Sequence, residues 1–121
     1  MDVRDCYRIL GGDYDEVLAR FCNREELARK FLYKFLDDQS YGLLMESLHE
    51  QNMEEAFRAA HTLKGVSQNL GFDRLQKSVG ELTDALRSGK ERPSDALVEQ
   101  VREDYKTTAE AIQMLRESVS D

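Results

Sequence analysis

The stretch NMEEAFRAAHTLKGVSQNLG, residues 52–71, reads as one complete helix with its own start and stop. Asn52 followed three residues later by Glu55 is a capping box, the signature of a helix N-terminus. Leu70-Gly71 supplies a glycine suited to the left-handed position just past a helix end. At roughly 100° per residue, Ala56, Ala59, Leu63, Val66 and Leu70 fall on one stripe, which predicts the face turned to a core. His61 stands in the middle of the opposite face, among Glu54, Phe57, Lys64, Gly65 and Gln68, with Arg58 at the edge. Gly65 is out of keeping with a plain helix, since an interior glycine costs about 0.5–1 kcal/mol relative to alanine. Something other than helix stability accounts for it.

Outward from this helix the chain is helical almost everywhere. It has one proline, no alternating β-branched runs, and many Leu, Ala, Glu, Lys and Arg residues. A short helix is expected over Val3–Leu10, stopped by Gly11-Gly12, and YDEVLARF adds a couple of turns before Asn23. Asn23 with Glu26 is read as a second capping box, opening a helix to about Leu36 with Leu27, Phe31 and Phe35 at helical spacing. Ser40 is expected to cap a helix ending near Gln51 with apolar positions Leu43, Leu44, Met45 and Leu48. One option makes it continuous with 23–36. Leu75, Val79, Leu82 and Leu86 mark a helix from about Phe72 to Ser88, stopped by Gly89. After the KERPS loop, a last helix starts near Pro93 or Ser94 and carries Leu97, Val101, Tyr105, Thr108, Ile112 and Leu115.

Long helices on short connections predict an all-α fold, an antiparallel four-helix bundle with additional short N-terminal helices across one end. With 121 residues and 40% apolar composition, one domain is expected over 1–121, made of an N-terminal helical extension, 1–22, and a bundle core, 23–118.

A net charge of −7 argues against nucleic acid or an anionic membrane as partner, because both reward clustered cations. The N-terminus has no signal-peptide run, and no stretch approaches the ~20 apolar residues of a membrane span, so a cytoplasmic protein is expected. Cys6 and Cys22 match no metal or redox spacing and read as small core or surface residues. Neither they nor the two histidines suggest a metal site, and His49 reads as a cation at a helix C-terminus or a plain surface residue. No phosphate-cradling glycine loop is present, so no ATP site, no cofactor and no kinase are expected.

His61 is the residue with chemistry to offer. An ordinary imidazole is largely neutral near pH 7 and keeps a free ring nitrogen able to act as a nucleophile. Lys64 puts a cation on the next turn, Gly65 removes a side chain that would overhang the ring, and Phe57 leaves an aromatic beside it, as a docking surface would. A nearby ammonium would help bind an incoming phosphoryl group and offset the charge of the product.

The run His61-Thr62-Leu63-Lys64-Gly65-Val66-Ser67, closing with Leu70-Gly71, resembles the H-x-L-K-G motif of histidine-containing phosphotransfer (HPt) domains, here of a stand-alone bacterial type. The preceding Ala59-Ala60 and the following apolar helix match too, and the resemblance covers roughly residues 23–118. It implies a phosphorelay carrier whose exposed histidine takes a phosphoryl group from a receiver-domain aspartate and passes it to another receiver. By that resemblance His61 is the phosphoacceptor, Lys64 its electrostatic helper, Gly65 the clearance position and Gln68 a polar contact to the phosphoryl group, with Phe57 and Arg58 docking the partner. Val66 departs from the small residue often found after the glycine. The implied partners are receiver domains of response regulators or hybrid histidine kinases, met in solution by a monomer. The alternative is a helical interaction module whose Phe57/His61 face binds a partner without a covalent step. An enzyme using His61 as general base comes third, since no partner carboxylate is evident.

Overall fold

Residues 1–119 are described in the computed structural model, and they form seven helices with no strand among them. In chain order these are α1 (Val3–Leu10), α2 (Tyr14–Arg20), α3 (Glu25–Phe35), α4 (Ser40–His49), α5 (Met53–Leu70), α6 (Asp73–Leu86) and α7 (Asp95–Val119). The all-helical expectation holds.

The pairing follows from short connections. Only Gly71 and Phe72 join α5 to α6. Across that hairpin Arg87 lies over the ring of Phe57, and the stem of Lys64 faces Gly80. Both pairs are equidistant from the connection, so the two helices run antiparallel. On the other flank of α5, Ser40, Leu43 and Ser47 of α4 line one groove with Glu55, Ala59 and Thr62, and the short connection 50–52 makes these neighbours antiparallel as well. Ser78 and Glu81 of α6 share a groove with Gln100 and Asp104 of α7. The circuit closes where Tyr41 of α4 stacks on Tyr105 of α7, with ring centroids 3.8 Å apart and planes 1° apart. Thus α4–α7 make the up-down bundle.

The three N-terminal helices are added to this frame. α3 lies along the C-terminal half of α7, its Phe35 ring 5.8 Å from Tyr105 and 4.9 Å from Phe72. It points the same way as α4 yet is a separate helix, because the chain leaves helical geometry between Leu36 and Gln39. α1 and α2 close the end of the bundle where α5 stops and α6 begins. Gly71 takes the left-handed C-cap of α5 at φ 73°, as its place in the sequence predicts, and a Cβ there would also run into Val17. Gly12 packs so closely on the Gly71 carbonyl that any side chain would collide with it.

The core runs through all these elements, with Leu10, Leu32, Leu44, Leu63, Leu75 and Ile112 essentially removed from water. Full burial of each such side chain contributes roughly 1.5–3 kcal/mol. The seam expected on α7 is present, with Val101, Thr108, Ile112 and Leu115 buried and Leu97 and Tyr105 half-buried.

Several local expectations need correction. Asn23 does not cap α3: with Cys22 it takes a left-handed turn, both at φ 57°, which closes α2 through the Asn23 N–H donating to the Leu18 carbonyl. Asparagine tolerates that geometry better than most residues, and the turn wins over the cap. Arg24 becomes the N-cap without a side-chain bond, and Glu26 accepts from its guanidinium instead. Ser40 is the first residue of α4 rather than its cap, its N–H held at 2.8 Å by the Asp38 carboxylate. On α3 the buried stripe is Ala28, Leu32 and Phe35, leaving Phe31 37% exposed and stacked on Phe21. Leu43 of α4 is 53% exposed, because α4 turns Leu44 and Leu48 inward.

On α5 the buried face is rotated toward α6. Ala60 and Ser67 join Ala56, Ala59, Leu63 and Leu70 in the interior, while Val66 is only partly buried. Ala60 and Ser67 lie on the side of α5 that carries Phe57 and Lys64 toward α6, and the helical period puts Val66 on the opposite side of the core stripe.

Candidate functional site

The helix that carries His61 is fixed at both ends. At its N-terminus the Asn52 side chain accepts from the Glu55 N–H at 3.2 Å, the cap expected. The Glu55 carboxylate does not return the bond. It pairs with Arg58 instead. At the C-terminus the buried Tyr7 hydroxyl donates to the Leu70 carbonyl at 2.7 Å, and Arg20 of α2 donates to the carbonyls of Gln68 and Asn69 at 2.9 and 3.1 Å. Burial pushes the Tyr7 hydroxyl well above the ordinary phenol range, so it stays protonated and donating throughout the physiological range. The Asn69 and Leu70 carbonyls at the helix end are thus satisfied by α2 and α1, while that of Gln68 also accepts from the Gly71 N–H.

Between these anchors His61 is exposed, about midway along α5. The Phe57 ring stacks beside its imidazole, with centroids 6.0 Å apart and planes 26° apart. One turn toward the C-terminus, a Cβ placed on Gly65 would meet no other group within 4 Å. The position opens on solvent, and close helix packing does not explain its glycine. Gln68, a further turn along the same face, is exposed too. Lys64 is half-buried, its aliphatic stem against α6, and among the described residues its ammonium has neither a hydrogen bond nor an ion pair. A cation with no carboxylate partner among the described residues, one turn along α5 from an exposed imidazole, is available to an anion.

Of the six residues singled out from sequence, five share this face. Arg58 stands apart. Its guanidinium is engaged by Glu54 at 3.1 Å and by Glu55, and it lies at the α4 flank with Ser47 and Thr62, away from Phe57. The structure adds residues from α6. The Arg87 guanidinium sits 5.7 Å from the Phe57 ring centroid and bonds Asp84 at 3.0 Å, and Gly80 faces Lys64. The signal for them was the two-residue connection at Gly71-Phe72, which sets residues equidistant from it opposite one another. His49 is exposed in the last turn of α4, far along the chain from this face. Cys6 is buried, with its thiol pushed up to about 11, and Cys22 is exposed.

Comparison with known families matches residues 34–117 to the Hpt domain. The chain belongs to the Hpt domain family. The match begins at the end of α3, later than the residue 23 expected, and spans α4–α6 and all but the end of α7, with His61, Lys64 and Gly65 inside it. No curated protein and no solved structure matches the chain. Hpt domains are the histidine phosphotransfer modules of phosphorelays; they interact with receiver domains and act as phosphoryl carriers rather than kinases. Among the described residues of this Hpt protein no helix is long and apolar enough to cross a membrane, and no cluster of three or more His, Cys, Asp or Glu could hold a metal ion.

Proposed function

We propose that this Hpt protein carries a phosphoryl group on His61. A ring nitrogen attacks the phosphorus of a receiver's aspartyl phosphate in line, the bond from phosphorus to the carboxylate oxygen breaks, and the carboxylate leaves as phosphohistidine forms. A second receiver's aspartate reverses the step. Residues 1–121 act as one domain, with 1–22 bracing the end of the bundle core. The receivers belong to response regulators or hybrid histidine kinases, and the carrier works as a monomer without catalysis of its own.

The observation that carries this reading is the cleared surface around an exposed imidazole: open space at Gly65, the Phe57 ring beside it, and on the next turn the ammonium of Lys64, unpaired among the described residues. Each is what a docked aspartyl phosphate requires. Gln68 extends the polar contact along the same face, and Arg58, held by two glutamates, serves the rim of the docking surface. The test is incubation with a phosphorylated receiver, which is expected to leave acid-labile, base-stable phosphate on the protein. A complex that forms without label would replace the relay by a non-covalent interaction module.

Lys64→Ala is expected to slow transfer about tenfold, corresponding to ~1.4 kcal/mol, without abolishing acceptance. The ammonium stabilises charge on the transferring group but does not form the bond, and in an open site water screens part of its effect. Transfer at the wild-type rate with every receiver tested would remove Lys64 from the site. With ATP alone, in the absence of a kinase, no label is expected on the protein, because the sequence carries no glycine-rich loop of the kind that cradles a triphosphate. Saturable ATP binding by calorimetry would favour an enzyme.

A further inference from the structure

Gly80 lies inside α6, with neither a turn nor a positive φ to explain it. It does not serve close packing of backbones either. Its own helix apart, a Cβ placed there would have just two atoms within 4 Å, Cε of Lys64 at 3.7 Å and Cδ at 3.9 Å. An interior glycine is unfavourable in a helix, and here a small residue borders the stem of a lysine on the neighbouring helix, the nearest group outside its own helix.

We infer that Gly80 is a positioning residue for phosphoryl transfer, leaving on α6 the bed in which the Lys64 stem lies and so fixing where its ammonium stands beside His61. The inference rests on reading His61 as the phosphoacceptor and Lys64 as its helper. A lysine stem has four rotatable bonds, and its charge is useful only where the phosphoryl group arrives. No hydrogen bond or ion pair holds the Lys64 ammonium among the described residues, so its placement falls to the packing of its methylenes. Helical side chains lean toward the N-terminus, which carries the Lys64 stem toward the turn of His61. Lying against α6, the stem is half-buried and only its tip is left to reach water or an anion.

The geometry also sets the size limit. A methyl group at 80 would touch the stem at an ordinary van der Waals distance, whereas the branched end of a leucine would need the volume the stem occupies. Gly80→Ala should therefore transfer at close to the wild-type rate, and Gly80→Leu should push the lysine into solvent.

The experiment is a timed transfer assay from a phosphorylated receiver on the wild type, Lys64→Ala, Gly80→Ala, Gly80→Leu and the double variant Lys64→Ala/Gly80→Leu, each with a thermal melt. Gly80→Leu is expected to lose the same factor as Lys64→Ala, about tenfold, and the double variant to lose no more than either, because one displaces from the site the same ammonium that the other removes. Wild-type transfer by Gly80→Leu overturns the inference. So do losses that multiply in the double variant, which would mean that position 80 acts on receiver docking. Should Gly80→Leu fail to fold, NMR on the wild-type protein decides: nuclear Overhauser contacts between the Gly80 Hα protons and the Lys64 δ and ε protons are expected, and their absence overturns the inference. If those contacts are present while no receiver labels the wild type, the functional reading itself has failed and the inference falls with it.

Discussion

His61→Ala is expected to take up no phosphate from any receiver that labels the wild type, and His61→Gln likewise. The loss is complete because the ring nitrogen forms the bond and no neighbour offers a replacement: Gly65 has no side chain, and Lys64, Gln68 and Thr62 are not imidazoles. The fold should not notice. His61 is exposed, its ring stacks on Phe57, and surface substitutions of this kind shift stability by no more than about 0.5 kcal/mol. Helicity and melting therefore serve as the control. Labelled phosphate on the His61→Ala protein would overturn the assignment, and His49→Ala should be labelled like the wild type.

Gly65→Gln is expected to lower the transfer rate about 10²-fold or more while leaving the protein as stable as before, or more stable by some tenths of a kcal/mol. The stability half follows from the open space around the position, which accepts a side chain without a clash. The transfer half follows from direction. A side chain at 65 would lean back over the imidazole one turn away, where the receiver's aspartyl phosphate must come within about 3–3.5 Å of the ring nitrogen. A thermal melt beside a timed transfer assay on one preparation reads both halves. Unchanged transfer would dispose of the clearance role, and a collapsed fold would contradict the open surroundings of Gly65.

How much of this was legible from sequence depended on whether the signal was local. α5 could be bounded at both ends because Asn52 and Gly71 act within a turn of themselves, and the outward placement of His61 needed only the helical period. The start of α3 could not, because asparagine suits both a cap and a left-handed turn, and the choice was made by how α2 ends against α3. Periodicity alone does not say which of two adjacent apolar residues turns inward, and Phe31 and Leu43, though part of apolar repeats, stay exposed. Ala60 and Ser67 are mute in hydropathy for the opposite reason: small residues are buried where helices approach closely, and that approach is a property of the pair. At the site itself the same division holds. His61, Lys64 and Gly65 announced themselves along one helix, Arg58 was claimed by two glutamates, and Gly80 and Arg87 required the register of the α5–α6 hairpin.

The most direct test of the phosphoacceptor assignment is to locate the phosphate, by peptide mapping under neutral or basic conditions after brief exposure of the wild-type protein to a phosphorylated receiver. Acid-labile phosphate confined to the peptide carrying His61 is the expected result. Phosphate on His49, acid-stable phosphate on a serine or threonine, or a wild-type protein left unlabelled by receivers that bind it would contradict the assignment.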